Sequence, residues 1–235
     1  MTAQAHGRFE VRLADAAGVF IILALIVAGY WVSTHGVAGQ VPLHFGFDGR
    51  ADRWGGRAEV GQGLWLMAGL AGLIAVVCVV LERQGDGKAW QSSLRLARGV
   101  TALVFAFLGV LFGGLGMGWI GGIGGVGAWA MIVLSLTLIV VGAVMGRARP
   151  NPIFGVRTFW TLTSRLSWDK SNRLGGRLLG GIGLIGLFAS PFAPQPQAMH
   201  WLVVALLVAA GLTVLESWRV WSIDPDRKAG RETQA

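Results

Sequence analysis

Six runs of predominantly apolar residues, at about 15–36, 61–81, 99–118, 126–145, 178–194 and 199–219, constrain this chain more than anything else in it. A helix rising about 1.5 Å per residue needs roughly 20 such residues to cross about 30 Å of hydrocarbon. The fifth run is the short one: Pro191, Pro194 and Pro196 end it after about 17 residues, or about 25 Å of helix. The expected fold is an all-α, polytopic integral membrane protein with six transmembrane helices. A five-span arrangement, or a re-entrant fifth segment, is the alternative. Composition agrees, since 54% of residues are hydrophobic and only 14% charged, against about 25% charged in soluble domains. The first run reads as a retained span, because Glu10 and Asp15 occupy what would be the basic region of a signal peptide.

The net charge of +8 would point to nucleic acid in a soluble chain. Here the cations flank apolar runs, where the positive-inside bias and anionic lipid account for them. Membrane lipids are therefore expected partners, and direct nucleic-acid binding is not. With six spans and an inner N-terminus, seventeen Lys and Arg residues fall inside and three, Arg50, Arg53 and Arg57, outside. Both termini are accordingly expected in the cytoplasm. Cys78 is the only cysteine, which excludes an intramolecular disulfide and a cysteine metal site.

No Asp, Glu, Lys or Arg lies near the middle of an expected span. Ionisable groups at that depth mark ion pathways and proton relays, so a proton-coupled transporter is disfavoured. Glycine is abundant, with 37 residues, and Gly109/Gly113, Gly142/Gly146 and Gly176/Gly180 are each four apart. That spacing lets helix backbones approach closely, within the monomer or between copies in a homo-oligomer. Gly116–Gly121 and Gly181–Gly186 match the dinucleotide fingerprint literally. Neither has the βαβ context or the downstream acid that the fingerprint requires, and no cofactor is expected.

Two polar loops remain to carry function. The outer loop, 37–60, contains Pro42, His44, Phe45, Asp48, Asp52, Trp54 and Arg57. Its glycines favour a compact, turn-rich segment over a helix. His44, Asp48 and Asp52 are ligand types that suit zinc-like ions, although acid pairing with Arg50, Arg53 and Arg57 is the simpler reading, and Trp54 suits the headgroup level. The cytoplasmic loop, 146–177, holds seven Lys or Arg residues against one acid, Asp169. Pro150 and Pro152 bar continuation of the fourth helix. Helix is expected to resume from about Thr161, with Thr161 or Thr163 as N-cap. Arg165, Asp169 and Arg173, four apart, are placed for ion pairing, and Trp160 and Trp168 are expected on the membrane side as anchors.

The stretch from Asn151 through Gly155, Arg157, Thr158 and Trp160, then Ser164, Trp168, Asn172 and Arg173, resembles the signature loop of the SdpI family. Those are bacterial membrane proteins associated with immunity to a secreted toxin, the sporulation-delaying protein. The segment Pro42–Phe45 with Gly49, Asp52, Trp54 and Arg57 resembles the DUF1648 domain that often precedes it. The resemblance divides the chain into a DUF1648-like region, 1–98, with two spans, an SdpI-like region, 99–220, with four, and a polar tail, 221–235. It implies a non-enzymatic protein of the bacterial cytoplasmic membrane that resists a membrane-active peptide toxin. It further implies a receptor role in which bound toxin leads to retention of a cytoplasmic transcriptional repressor. A small transporter or lipid-handling protein, and a membrane hydrolase using His44 with Asp48 or Asp52, are the competing expectations.

Overall fold

The computed structural model describes residues 13–46, 50–84, 88–120, 125–151 and 154–227. Helix α1 (Leu13–His35) is followed by a hairpin of β1 (Val41–Phe45) and β2 (Ala51–Gly55). Then come α2 (Arg57–Gln84), α3 (Lys88–Gly116), α4 (Gly125–Met145), the short α5 (Phe159–Thr163), α6 (Arg165–Ala189) and α7 (Gln197–Ile223). A 3-10 turn at Pro225–Arg227 follows α7.

Helices α1, α2, α3, α4 and α7 are each long and apolar enough to cross a membrane. Their exposed faces carry large apolar side chains such as Phe20, Leu66, Val110 and Leu215, as lipid contact requires. Helix α6 departs from the expected fifth run. It starts thirteen residues earlier, at Arg165, carries Arg165, Lys170, Arg173 and Arg177 in its first half, and ends at Ala189. Its place is nonetheless set by α4. Near the start of α6, Arg173 lies against Gly146, and near its end Gly186 lies against Ser135, so the two helices run antiparallel.

Glycine makes that pairing close. A Cβ on Gly142 would sit 2.6 Å from the Gly180 amide nitrogen, and one on Gly176 would sit 2.6 Å from the Gly142 carbonyl oxygen. A Cβ on Gly183 would meet the Ser135 carbonyl at 2.7 Å. Two of the three glycine pairs singled out in the sequence thus pack on each other inside one chain. In the third, Gly109 faces Leu25, while a Cβ on Gly113 would meet nothing within 4 Å.

The helices bury two main cores. Leu25, Val32, Val60, Leu64 and Ala68 join α1 to α2. Leu111 and Leu115 of α3 join Met131, Leu138 and Leu202 in the core of α4 and α7. Helix α3 therefore belongs to both groups. At the end of the first group away from the hairpin, Arg98 binds Asp15 at 2.9 Å and Glu82 at 2.7 Å, and Arg95 binds the other Glu82 oxygen at 2.6 Å. These residues sit on α1, α2 and α3, and the Arg98 side chain is only 11% exposed. Both arginines share Glu82, so its loss would leave Arg95 without an ion-pair partner among the described residues and Arg98 with Asp15 alone.

Gly176→Val forces a branched side chain into the Gly142 backbone. The purified protein in detergent should lose about 1–3 kcal/mol of stability, read as a lower thermal midpoint. Gly181→Ala, where a Cβ meets nothing within 4 Å, should unfold at or above the native temperature. Equal loss from both would contradict the helix pairing.

Candidate functional site at the 146–177 segment

The chain leaves α4 through Gly146 and Arg147 and cannot resume helix at Pro150. Asn151, which is buried, replaces the missing backbone bonds with its side chain. Its Oδ1 accepts from the Phe154 amide at 2.7 Å, and its Nδ2 donates to the Arg149 and Phe154 carbonyls at 2.8 and 3.0 Å. Such side-chain turns are the reason Asn suits a tight reversal. Gly155 follows at φ +117°, a conformation that L side chains rarely adopt, and a Cβ there would lie 2.5 Å from Asn172 Oδ1.

Asn172 and Trp168 hold this turn onto α6. The Val156 amide donates to Asn172 Oδ1 at 2.8 Å, and Asn172 Nδ2 donates to the Trp168 carbonyl at 3.0 Å. The Trp168 indole N–H donates to the Ala148 carbonyl at 2.9 Å. Trp168 is completely buried and Asn172 is 1% exposed. Trp168 is therefore not a membrane anchor. It fills the space between the turn and α6, with its one polar atom satisfied inside the protein.

Two caps then start two helices, at residues other than those expected. Thr158 caps α5: its hydroxyl accepts from the Thr161 amide, and the Thr161 hydroxyl accepts from the Thr158 amide. Ser164 caps α6, its hydroxyl accepting from the Ser167 amide at 3.0 Å. Thr161 is the third residue of the first helix rather than a cap, and Thr163 lies within that helix.

The same hydroxyls reach α7. The Thr158 hydroxyl donates to Ser217 Oγ at 3.1 Å, and the Ser167 hydroxyl donates to the Ser217 carbonyl at 2.7 Å. The Ser164 hydroxyl donates to the carboxylate of Asp224, which also accepts from the Asp226 amide at 3.0 Å. Asp224 is buried beside the N-terminal end of α6. Ser217 and Asp224 were missed in the sequence, where residues from 221 onward read as a polar tail. That Ser217 faces Ser167 depends on how α6 and α7 pack, which spacing along the chain does not give.

The remaining signature side chains point outward. Arg157 and Arg173 are exposed and Trp160 is half-buried. Arg165 and Asp169 are exposed as well. Among the described residues Asp169 forms no ion pair, so the expected Arg165–Asp169–Arg173 ladder is absent.

The described part of the 37–56 loop is not helical and contains a β-hairpin. Pro42 pairs with Trp54, and His44 with Arg53, in an antiparallel ladder. His44 Nδ1 lies 2.6 Å from Asp52 Oδ1, with both side chains more than half exposed. Asp52 thus pairs with His44 and not with an arginine. Asp48 lies outside the described residues, and among those residues no group of three His, Cys, Asp or Glu side chains gathers for a metal ion. Phe45 pairs with Ala51 through the backbone, and Trp54 is exposed. Arg57 donates to the Thr34 carbonyl at 3.3 Å, fastening the start of α2 to the end of α1.

The hairpin joins the C-terminal end of α1 to the N-terminal end of α2, beside the end of α3, where the Val37 amide donates to the Gly116 carbonyl at 2.8 Å. The Asp15–Glu82–Arg98 cluster occupies the other end of those helices. The 146–177 segment occupies the corresponding end of α4, away from its Gln195-facing N-terminus. The two polar regions therefore sit at opposite ends of the helices.

No curated protein and no solved structure matches the chain. Residues 147–216 match the model of the SdpI/YfhL protein family. The matched residues contain the Asn151 turn, α5, all of α6 and most of α7, and so the Asn151, Trp168 and Asn172 bonds, while Ser217 and Asp224 lie beyond the matched part.

Proposed function

We propose that this is an immunity-type protein of the bacterial cytoplasmic membrane, acting by binding rather than catalysis. It crosses the bilayer six times with both termini inside, meets a secreted membrane-active peptide toxin at the hairpin end, and holds a transcriptional repressor at the 146–177 end. The SdpI/YfhL match over 147–216 carries this reading. Support for six crossings comes from α6, which runs antiparallel to α4 from Gly146 back to Ser135. Support for the orientation comes from the excess of Lys and Arg on the side of the matched segment.

The division of labour follows from burial. Asn151, Gly155, Trp168 and Asn172 build the segment, whereas Arg157, Trp160 and Arg173 are the side chains it leaves accessible. On the hairpin, exposed His44, Asp52 and Trp54 form the surface that a peptide would meet.

A strain lacking the gene should lose survival when challenged with membrane-active peptides produced by neighbouring bacteria, and the wild-type gene should restore it. Survival that is unchanged across such a panel removes the immunity reading. Arg157→Ala and Trp160→Ala should abolish protection while the protein still inserts and unfolds at its native temperature. Asn172→Leu should instead destabilise the protein by about 1–3 kcal/mol, because the Val156 amide is left buried without an acceptor. Protection retained in both Arg157→Ala and Trp160→Ala would reduce the segment to a connector.

A further inference from the structure

We propose that the exposed face of α5 and the first three turns of α6 is a docking surface for anionic phospholipid headgroups. The apolar part is Phe159 and Leu162, each 56% exposed, with Leu166 at 39%. Helix α5 has five residues, far too few to cross a membrane, yet it displays two large apolar side chains. It is not remote from the bilayer-facing surface. The Phe159 ring meets Trp221 edge-on at 6.1 Å between centroids, at the end of the membrane-length helix α7. Trp218 and Ile223, on the same end of α7, are exposed, which continues the apolar surface from the spans up to α5.

The charged part runs down α6. Arg165, Lys170, Arg173 and Arg177 are all exposed, and none forms an ion pair with another described residue. Asp169 is the one acid within α5 and α6. The level of the membrane surface can be placed from α4. Arg173 lies beside Gly146, immediately beyond the apolar helix that ends at Met145. The cations therefore straddle the hydrocarbon edge, where their apolar stems lie along the helix and their charges reach phosphates. Amphipathic aromatic and aliphatic side chains beside them suit the same interfacial depth. Anionic lipid is favoured over a cytosolic acidic protein because the apolar surface is continuous with the bilayer-facing surface of α7.

The test uses the full-length protein in vesicles, with a fluorophore attached at Leu162→Cys in a Cys78→Ala background. Quenching by brominated phosphatidylglycerol is compared with quenching by brominated phosphatidylcholine. Phosphatidylglycerol should quench preferentially. Arg165→Gln and Arg173→Gln should each reduce that preference by up to about fivefold, the effect of one cation near an anionic surface, and Asp169→Asn should raise it. Failure of either lipid to quench would show the face open to water or to a protein, and would overturn the proposal. Equal quenching by both lipids, or a preference indifferent to the Arg substitutions, would also overturn it. Neither result depends on whether the protein confers immunity.

Discussion

The backbone contact between α4 and α6 is the constraint on which the second half of the molecule depends. Helices in a bilayer gain nothing from exchanging one apolar neighbour for another, so they associate through close packing and polar bonds. At Gly142 and Gly176 a Cβ on either helix would come within 2.6–2.7 Å of backbone on the other. That approach determines how far Arg165–Asn172 stand from the end of α4. It is this short separation that lets the Trp168 indole reach the Ala148 carbonyl and lets Asn172 accept from Val156. Widening the pair would therefore remove hydrogen bonds one to two turns away along α6.

The two halves solve the same problem with different chemistry. Where α1, α2 and α3 converge, charge is used: Arg98 bridges Asp15 and Glu82, with Arg95 adding a second bond to Glu82. Where α5, α6 and α7 converge, hydroxyls do the work, through Thr158, Ser164, Ser167 and Ser217, with one carboxylate at Asp224. A short hydroxyl side chain loses little rotamer freedom on burial and can both donate and accept, which suits a surface where three chain segments cross at once. An ion cluster needs more room but tolerates small displacements. The hydroxyl-linked half is accordingly the more tightly specified of the two.

The apolar runs were readable because length and hydropathy alone define a span, and the five helices long and apolar enough to cross a membrane fall where those runs lie. Two of the glycine pairs were readable for the same reason, since four-residue spacing is a helix face. Helix α6 was not. Its buried positions, Ser167, Trp168, Ser171, Asn172, Gly175 and Gly176, follow helical spacing but are small or polar, while Leu166, Leu184 and Ile185 are exposed. At a membrane edge the usual pattern inverts, and a search for apolar periodicity passes over such a helix and starts it only at Leu178. Helix is legible from about Thr161, but which of its faces α4 and α7 bury is not, and the side of Trp168, the place of Asp224 and the absent Asp169 ladder all turn on that face.

Helix α3 packs against both halves of the molecule. Its Gly116 packs on Val32 and Val60 beneath the hairpin, and a Cβ there would meet Val32 at 2.4 Å. Its Leu111 and Leu115 pack in the same core as Met131 of α4 and Leu202 of α7. Helix α4 in turn contacts α6 through backbone alone at Gly142. Close-packed interiors transmit displacement because they cannot compress, and a contact without side chains has no rotamers with which to absorb it.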